Sequence, residues 1–93
     1  MAKVTYYTGT TRPYLDLSFP NLNISSYAYV KVRIEQSSGV LEKTASVISS
    51  TLARVTFLST DLVAGTWPAQ VVWDDNSGGV ERSGFLIEVI QAI

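Results

Sequence analysis

The sequence has no cysteine and no histidine. Disulfide staples, thiol nucleophiles, Cys/His zinc sites and imidazole general bases are thereby removed together. Charge is sparse and balanced, with seven Lys and Arg against eight Asp and Glu for a formal net charge of −1. A nucleic-acid partner, which requires a basic surplus to displace phosphate counterions, is not expected. No apolar run approaches the ~20 residues of a membrane helix, so a membrane partner is not expected either. The N-terminus lacks the apolar stretch of roughly 7 to 15 residues that a secretory signal carries, which points to synthesis and folding in a cytoplasm.

What is present is enough for one core. At 93 residues, 46% of them hydrophobic, and with a mean hydropathy of +0.18, the chain is too apolar for a disordered tail. Surface scaling has it bury nearly two-thirds of its extended area and keep about 5,300 Å². No internal repeat, linker or low-complexity tract divides it, so residues 1–93 read as a single domain.

Apolar side chains recur with period 2 and not 3.6. Leu15, Leu17 and Phe19 alternate with Asp16 and Ser18; Val30, Val32 and Ile34 alternate with Lys31, Arg33 and Glu35. Ala53, Val55 and Phe57 make a third inward set, Trp67, Ala69, Val71 and Trp73 a fourth, and Phe85, Ile87 and Val89 a fifth. Weaker strands are expected over Lys3 to Thr8 and around Val40 to Ile48, for a total of about seven. Turn residues separate the runs at Gly9–Pro13, Pro20–Asn23, Ser37–Gly39 and Asp74–Gly79, with Gly65 feeding the Trp-rich strand. Ser59-Thr60-Asp61-Leu62 is expected to form one helical turn capped by Ser59 or Thr60.

About seven amphipathic antiparallel strands bury their apolar faces by stacking two sheets. The expected fold is therefore all-β, an immunoglobulin-like antiparallel β-sandwich, with Trp67 and Trp73 as its largest core contributors.

Candidate chemistry is thin. Asp74, Asp75 and Asn76 offer oxygen ligands in a Gly-bearing loop, but adjacent carboxylates without alternating ligands suit a solvated hairpin better than a calcium site. The remaining acids Asp16, Glu35, Glu42, Asp61, Glu81 and Glu88 are scattered, and no serine has a base or a nucleophile elbow. No catalytic residue, metal or cofactor is expected. Tyr6, Tyr7, Tyr14, Tyr27 and Tyr29 are either a contact platform or end caps of the sandwich, and Tyr29 has solvent-side parity. Val72, Leu86 and Ile90 also have outward parity, and Ile93 ends an apolar run. These residues form an exposed contact patch unless a bulge or strand switch near Gly84 turns both faces inward.

The segment Leu58 to Val89 carries a recognisable order of features. A turn, Leu58-Ser59-Thr60-Asp61-Leu62-Val63-Ala64, leads to Gly65-Thr66-Trp67, an alternating strand to Trp73, a polar hairpin from Asp75 to Gly79, and Phe85-Leu86-Ile87-Glu88-Val89. In this it resembles the N-terminal domain of the phage baseplate upper protein family, with Leu15-Asp16-Leu17-Ser18-Phe19 compatible with that family's early strand. The resemblance implies an immunoglobulin-like module of a tailed-phage virion. Family members continue into a larger protein and this sequence ends at Ile93, so a stand-alone tail, baseplate or head-decoration protein is expected.

The expected function is non-enzymatic docking onto repeated virion subunits, with other virion structural proteins or further copies of the chain as partners. The expected interface residues are Tyr29, Val72, Leu86, Ile90 and Ile93. A carbohydrate- or receptor-binding module built on the tyrosines is the alternative. A small hydrolase is disfavoured by the missing His and Cys.

Overall fold

Alternating side chains give each strand one face that must leave water, and the chain satisfies this with two stacked sheets. A computed structural model describes residues 3–10, 12–58 and 60–91. Among them the strands are β1 (Lys3–Tyr7), β2 (Tyr14–Ser18), β3 (Tyr29–Gln36), β4 (Gly39–Thr44), β5 (Ser46–Ser49), β6 (Leu52–Thr56), β7 (Gly65–Asp74) and β8 (Val80–Ile90). A five-stranded sheet runs β1-β8-β7-β3-β4 and a three-stranded sheet runs β2-β6-β5. All neighbours are antiparallel except β1 and β8, which are parallel with Lys3 opposite Leu86 and Tyr7 opposite Ile90. The fold is an all-β immunoglobulin-like sandwich, as the periodicity predicts.

The weak run over Val40 to Ile48 is two strands in different sheets. The chain crosses at Ala45, whose amide still donates to the Val30 carbonyl at 2.8 Å before β5 joins β6. Exposed apolar residues on both strands, Val40, Val47 and Ile48, blur the alternation that would have marked the break.

The five expected inward sets meet between the sheets. Val32, Ile34, Ala53, Val55, Phe57 and Ile87 are fully sealed. Ile24 joins them from the β2–β3 connection, where its amide donates to the Ser50 carbonyl at 2.8 Å. Its loop position gave no periodic signal.

Trp67 and Trp73 point inward but are only half-buried, and the largest fully buried side chains are Phe57, Ile24 and Ile34. A buried indole N–H needs an acceptor, which favours the margins of a core. Trp67 finds one at the Val63 carbonyl, 2.7 Å away, while Trp73 meets Phe19 edge-on with centroids 5.4 Å apart.

The expected helical turn at 59–62 is a plain turn, with Ser59 outside the described residues. The Asp61 carboxylate closes this turn by reaching back along the chain. It accepts from the Leu58 amide at 2.7 Å and pairs with Lys43 at 2.9 Å. Gln36 holds the segment to β3, donating to the Asp61 carbonyl and accepting from the Val63 amide, both at 2.9 Å.

The protein is elongated, 44 × 21 × 21 Å. That shape agrees with an accessible surface of 5616 Å², slightly above the ~5,300 Å² expected from mass alone.

Candidate functional site

The outward positions of the five-stranded sheet form cross-strand rows fixed by the register. Tyr29 lies beside Asp74, and Lys31, Val72 and Arg82 form the next row. Glu42, Arg33, Gln70 and Gly84 follow, then Pro68, Leu86 and Lys3. Ile90 and Tyr7 close the far end.

The centre of this face is charged and internally paired. Lys31 lies 3.0 Å from Glu42, Arg33 3.8 Å from the same carboxylate, and Lys3 3.6 Å from Glu88. Exposed pairs of this kind contribute little to stability. Two cations share the one Glu42 carboxylate, so the pairs do not neutralise the middle of the sheet. Gly84 contributes no side chain, and a depression of about 210 Å³ sits there between Arg33, Glu35, Gln70 and Leu86.

Of the expected interface residues, Ile90 is 40% exposed and lies beside Tyr7 at 57%. Leu86 is half-buried four residues back on the same strand, between Pro68 and Lys3. The β7–β8 ladder runs without a register shift from Gly65–Val89 to Asp74–Val80, so no bulge at Gly84 turns this face inward.

Val72 is not part of an exposed patch. It has outward parity yet is only 4% exposed and stands apart from the inner core cluster. Its cross-strand neighbours are Lys31 and Arg82. Long charged side chains lay their aliphatic stems over apolar surface while their heads stay wet, which buries a short residue set between them. Parity alone gives the face and not the cover.

Tyr29 is half-buried, with the Lys31 ammonium 4.6 Å from its ring centroid. It lies at the opposite end of the sheet from Ile90, some nine or ten residues along β7, roughly 30 Å. Ile93 lies outside the described residues. The surface that emerges is therefore Ile90 with Tyr7, a partner that only the parallel β1–β8 pairing reveals, while Leu86 stands beyond the Glu88–Lys3 pair on the same strand.

The tyrosines do not converge. Tyr6 points between the sheets, edge-on to Phe57 with centroids 6.1 Å apart, and its hydroxyl donates to the Tyr14 carbonyl at 2.9 Å. Burial, with smaller contributions from the Asp16 carboxylate and Tyr14, pushes that hydroxyl up to about 12. Tyr14 lies on the outer side of the small sheet, with the Arg54 guanidinium 4.5 Å from its centroid. Arg54 also grips Asp16 through two bonds of 2.6 and 3.1 Å, which hold the Asp16 carboxyl below the usual range. Tyr27 packs on the core margin.

In the Asp74–Gly79 loop the carboxylates serve the turn itself. Asp74 accepts from the Asn76 amide and Asp75 from the Ser77 amide, both at 2.9 Å. The Ser77 hydroxyl bond, together with that amide, lowers the Asp75 carboxyl from its ordinary value. Asn76 takes a positive φ of 66° and donates to the Ser26 carbonyl. Among the described residues no three carboxylates gather as metal ligands would.

No protein-family model matches the sequence, and no curated protein matches it. A solved structure of murine CRIg, an immunoglobulin-like domain, is similar to the chain over its whole length and over 94% of the CRIg chain. The TM-score is 0.54 and the sequence identity 12%. At that identity the likeness concerns the backbone alone, and it establishes the immunoglobulin-like sandwich.

Proposed function

We propose that this chain is a non-enzymatic structural component of a tailed-phage particle. In this reading it is a tail, baseplate or head-decoration protein that docks onto repeated neighbours through the outer face of its five-stranded sheet. The observation that carries the docking role is the Ile90–Tyr7 pair with Leu86 on the same edge of that face. Adjacent exposed apolar groups held on a sheet beside an ion-paired surface support contact with another subunit. The phage setting rests on the Leu58-to-Val89 resemblance. Repetition in a particle gives each modest contact avidity, so a small patch suffices. The five tyrosines do not gather, since Tyr7 and Tyr29 sit at opposite ends of one face and Tyr6, Tyr14 and Tyr27 lie elsewhere, and this supports protein docking over a sugar platform.

The test is incorporation into particles. Ile90→Asp places a charge on the exposed patch and leaves the sealed core untouched. The purified variant should keep a strand-dominated circular dichroism spectrum, while its amount in gradient-purified particles falls at least tenfold. Leu86→Asp should act in the same direction. Incorporation of both variants at the wild-type level would remove this face from the docking role.

A further inference from the structure

The two sheets do not close evenly. β1 covers the edge of β8 from Leu86 to Ile90 and stops. Among the described residues no strand pairs with β8 on that side over residues 80–85, and none pairs with the outer edge of β2. Between these two bare edges lies a crevice of about 310 Å³. Its apolar lining includes Leu15, Leu17, Phe19, Val71 and Phe85, each of which keeps 8% exposure while the opposite half of the core is sealed. Asp16 and Ser18 line it as well as Leu15 and Leu17, so the crevice meets the backbone edge of β2 and not only its inner face. The Tyr6–Tyr14 bond ties β1 to β2 near one end of the gap.

Unpaired edge amides and carbonyls are a template for another strand, and native edges are normally blunted by bulges, lysine or proline. Tyr14–Ser18 contains none of those residues, and its pairing with β6 is regular. A strand seated there gains main-chain hydrogen bonds for affinity and apolar pockets for every second side chain. We propose that this crevice accepts an extended segment donated by another polypeptide, paired along β2, with alternate apolar side chains directed between the sheets. The rim decides the intervening residues of the donor. Asp16 is already held by Arg54, and Ser18 and Ser83 are uncharged, so neutral polar side chains fit.

The probe is a nine-residue peptide of alternating valine and threonine with a lysine at each end, titrated into the full chain. Saturable one-to-one binding is expected, with hydrogen exchange slowed at least tenfold at amides within Tyr14–Ser18. A control peptide with serine in place of each valine should not bind. Ser83→Leu fills the crevice and should weaken binding at least tenfold. Ser83→Cys gives a readout that does not depend on that variant folding, because it supplies the chain's sole thiol; bound peptide should slow its alkylation at least tenfold. Protection at β4 or β5 instead of β2, equal binding of the serine peptide, or an unchanged alkylation rate would overturn the proposal. So would protection of β2 before any peptide is added, in a monomer or a dimer, because the edge would then be filled by this chain itself.

Discussion

Gly65 has a φ of 142°, and a Cβ placed on it would overlap the six-membered ring of Trp67. Strain in that region costs about 1–3 kcal/mol before the overlap is counted. Gly65→Ala should therefore lower urea-unfolding stability by at least about 2 kcal/mol, and Trp67 fluorescence should shift as its ring is displaced. Tyr6 makes a second residue-scale prediction. Its hydroxyl titrates near 12 in the folded protein and near 10 in an unfolded chain. Between those values the unfolded chain releases a proton that the folded one keeps. The contribution of Tyr6 to stability is full below about pH 10 and is lost as pH rises toward 12. Tyr6→Phe should flatten the pH dependence of the unfolding midpoint in that window and should remove one late phenolate from the ultraviolet titration. At this scale the sequence was legible for parity and poor for cover. Ile90 and Val72 both carry outward parity, yet one is exposed and the other buried, because the cross-strand neighbours that decide it come from distant segments.

At the scale of elements, alternation locates β2, β3, β6, β7 and the part of β8 from Phe85 on, where one face is wet and the other dry, while the exposed residues 80–84 of β8 give no such contrast. It ran β4 and β5 together, because β5 is exposed along its whole length and offers no contrast. The turn before β7 departs from its sequence pattern for a different reason. Local capping residues suggested a helix, but Gln36, far away on β3, supplies an acceptor and a donor that hold residues 61–63 in another conformation. Gln36→Ala leaves the Val63 amide and the Asp61 carbonyl without those partners. The cost should be about 1–3 kcal/mol in denaturant unfolding, with faster amide exchange confined to residues 60–64.

At the scale of the molecule, no disulfide staples the two sheets, since the sequence has no cysteine, and side-chain packing carries most of their association. Truncation at the sealed centre should therefore be severe. Phe57→Ala should cost about 3–5 kcal/mol, a large share of the roughly 5–15 kcal/mol typical of a domain. Thermal circular dichroism should show either a large drop in midpoint or no folded baseline. The parallel pairing of β1 with β8 has a mechanical outcome. Because both strands run the same way, chain entering at Lys3 and leaving after Ile90 departs from opposite ends of the ladder. Tension between those points loads the rungs side by side, so they must yield in shear as a group and cannot be peeled one at a time. A module anchored through both ends would transmit a pull along its length and keep its shape.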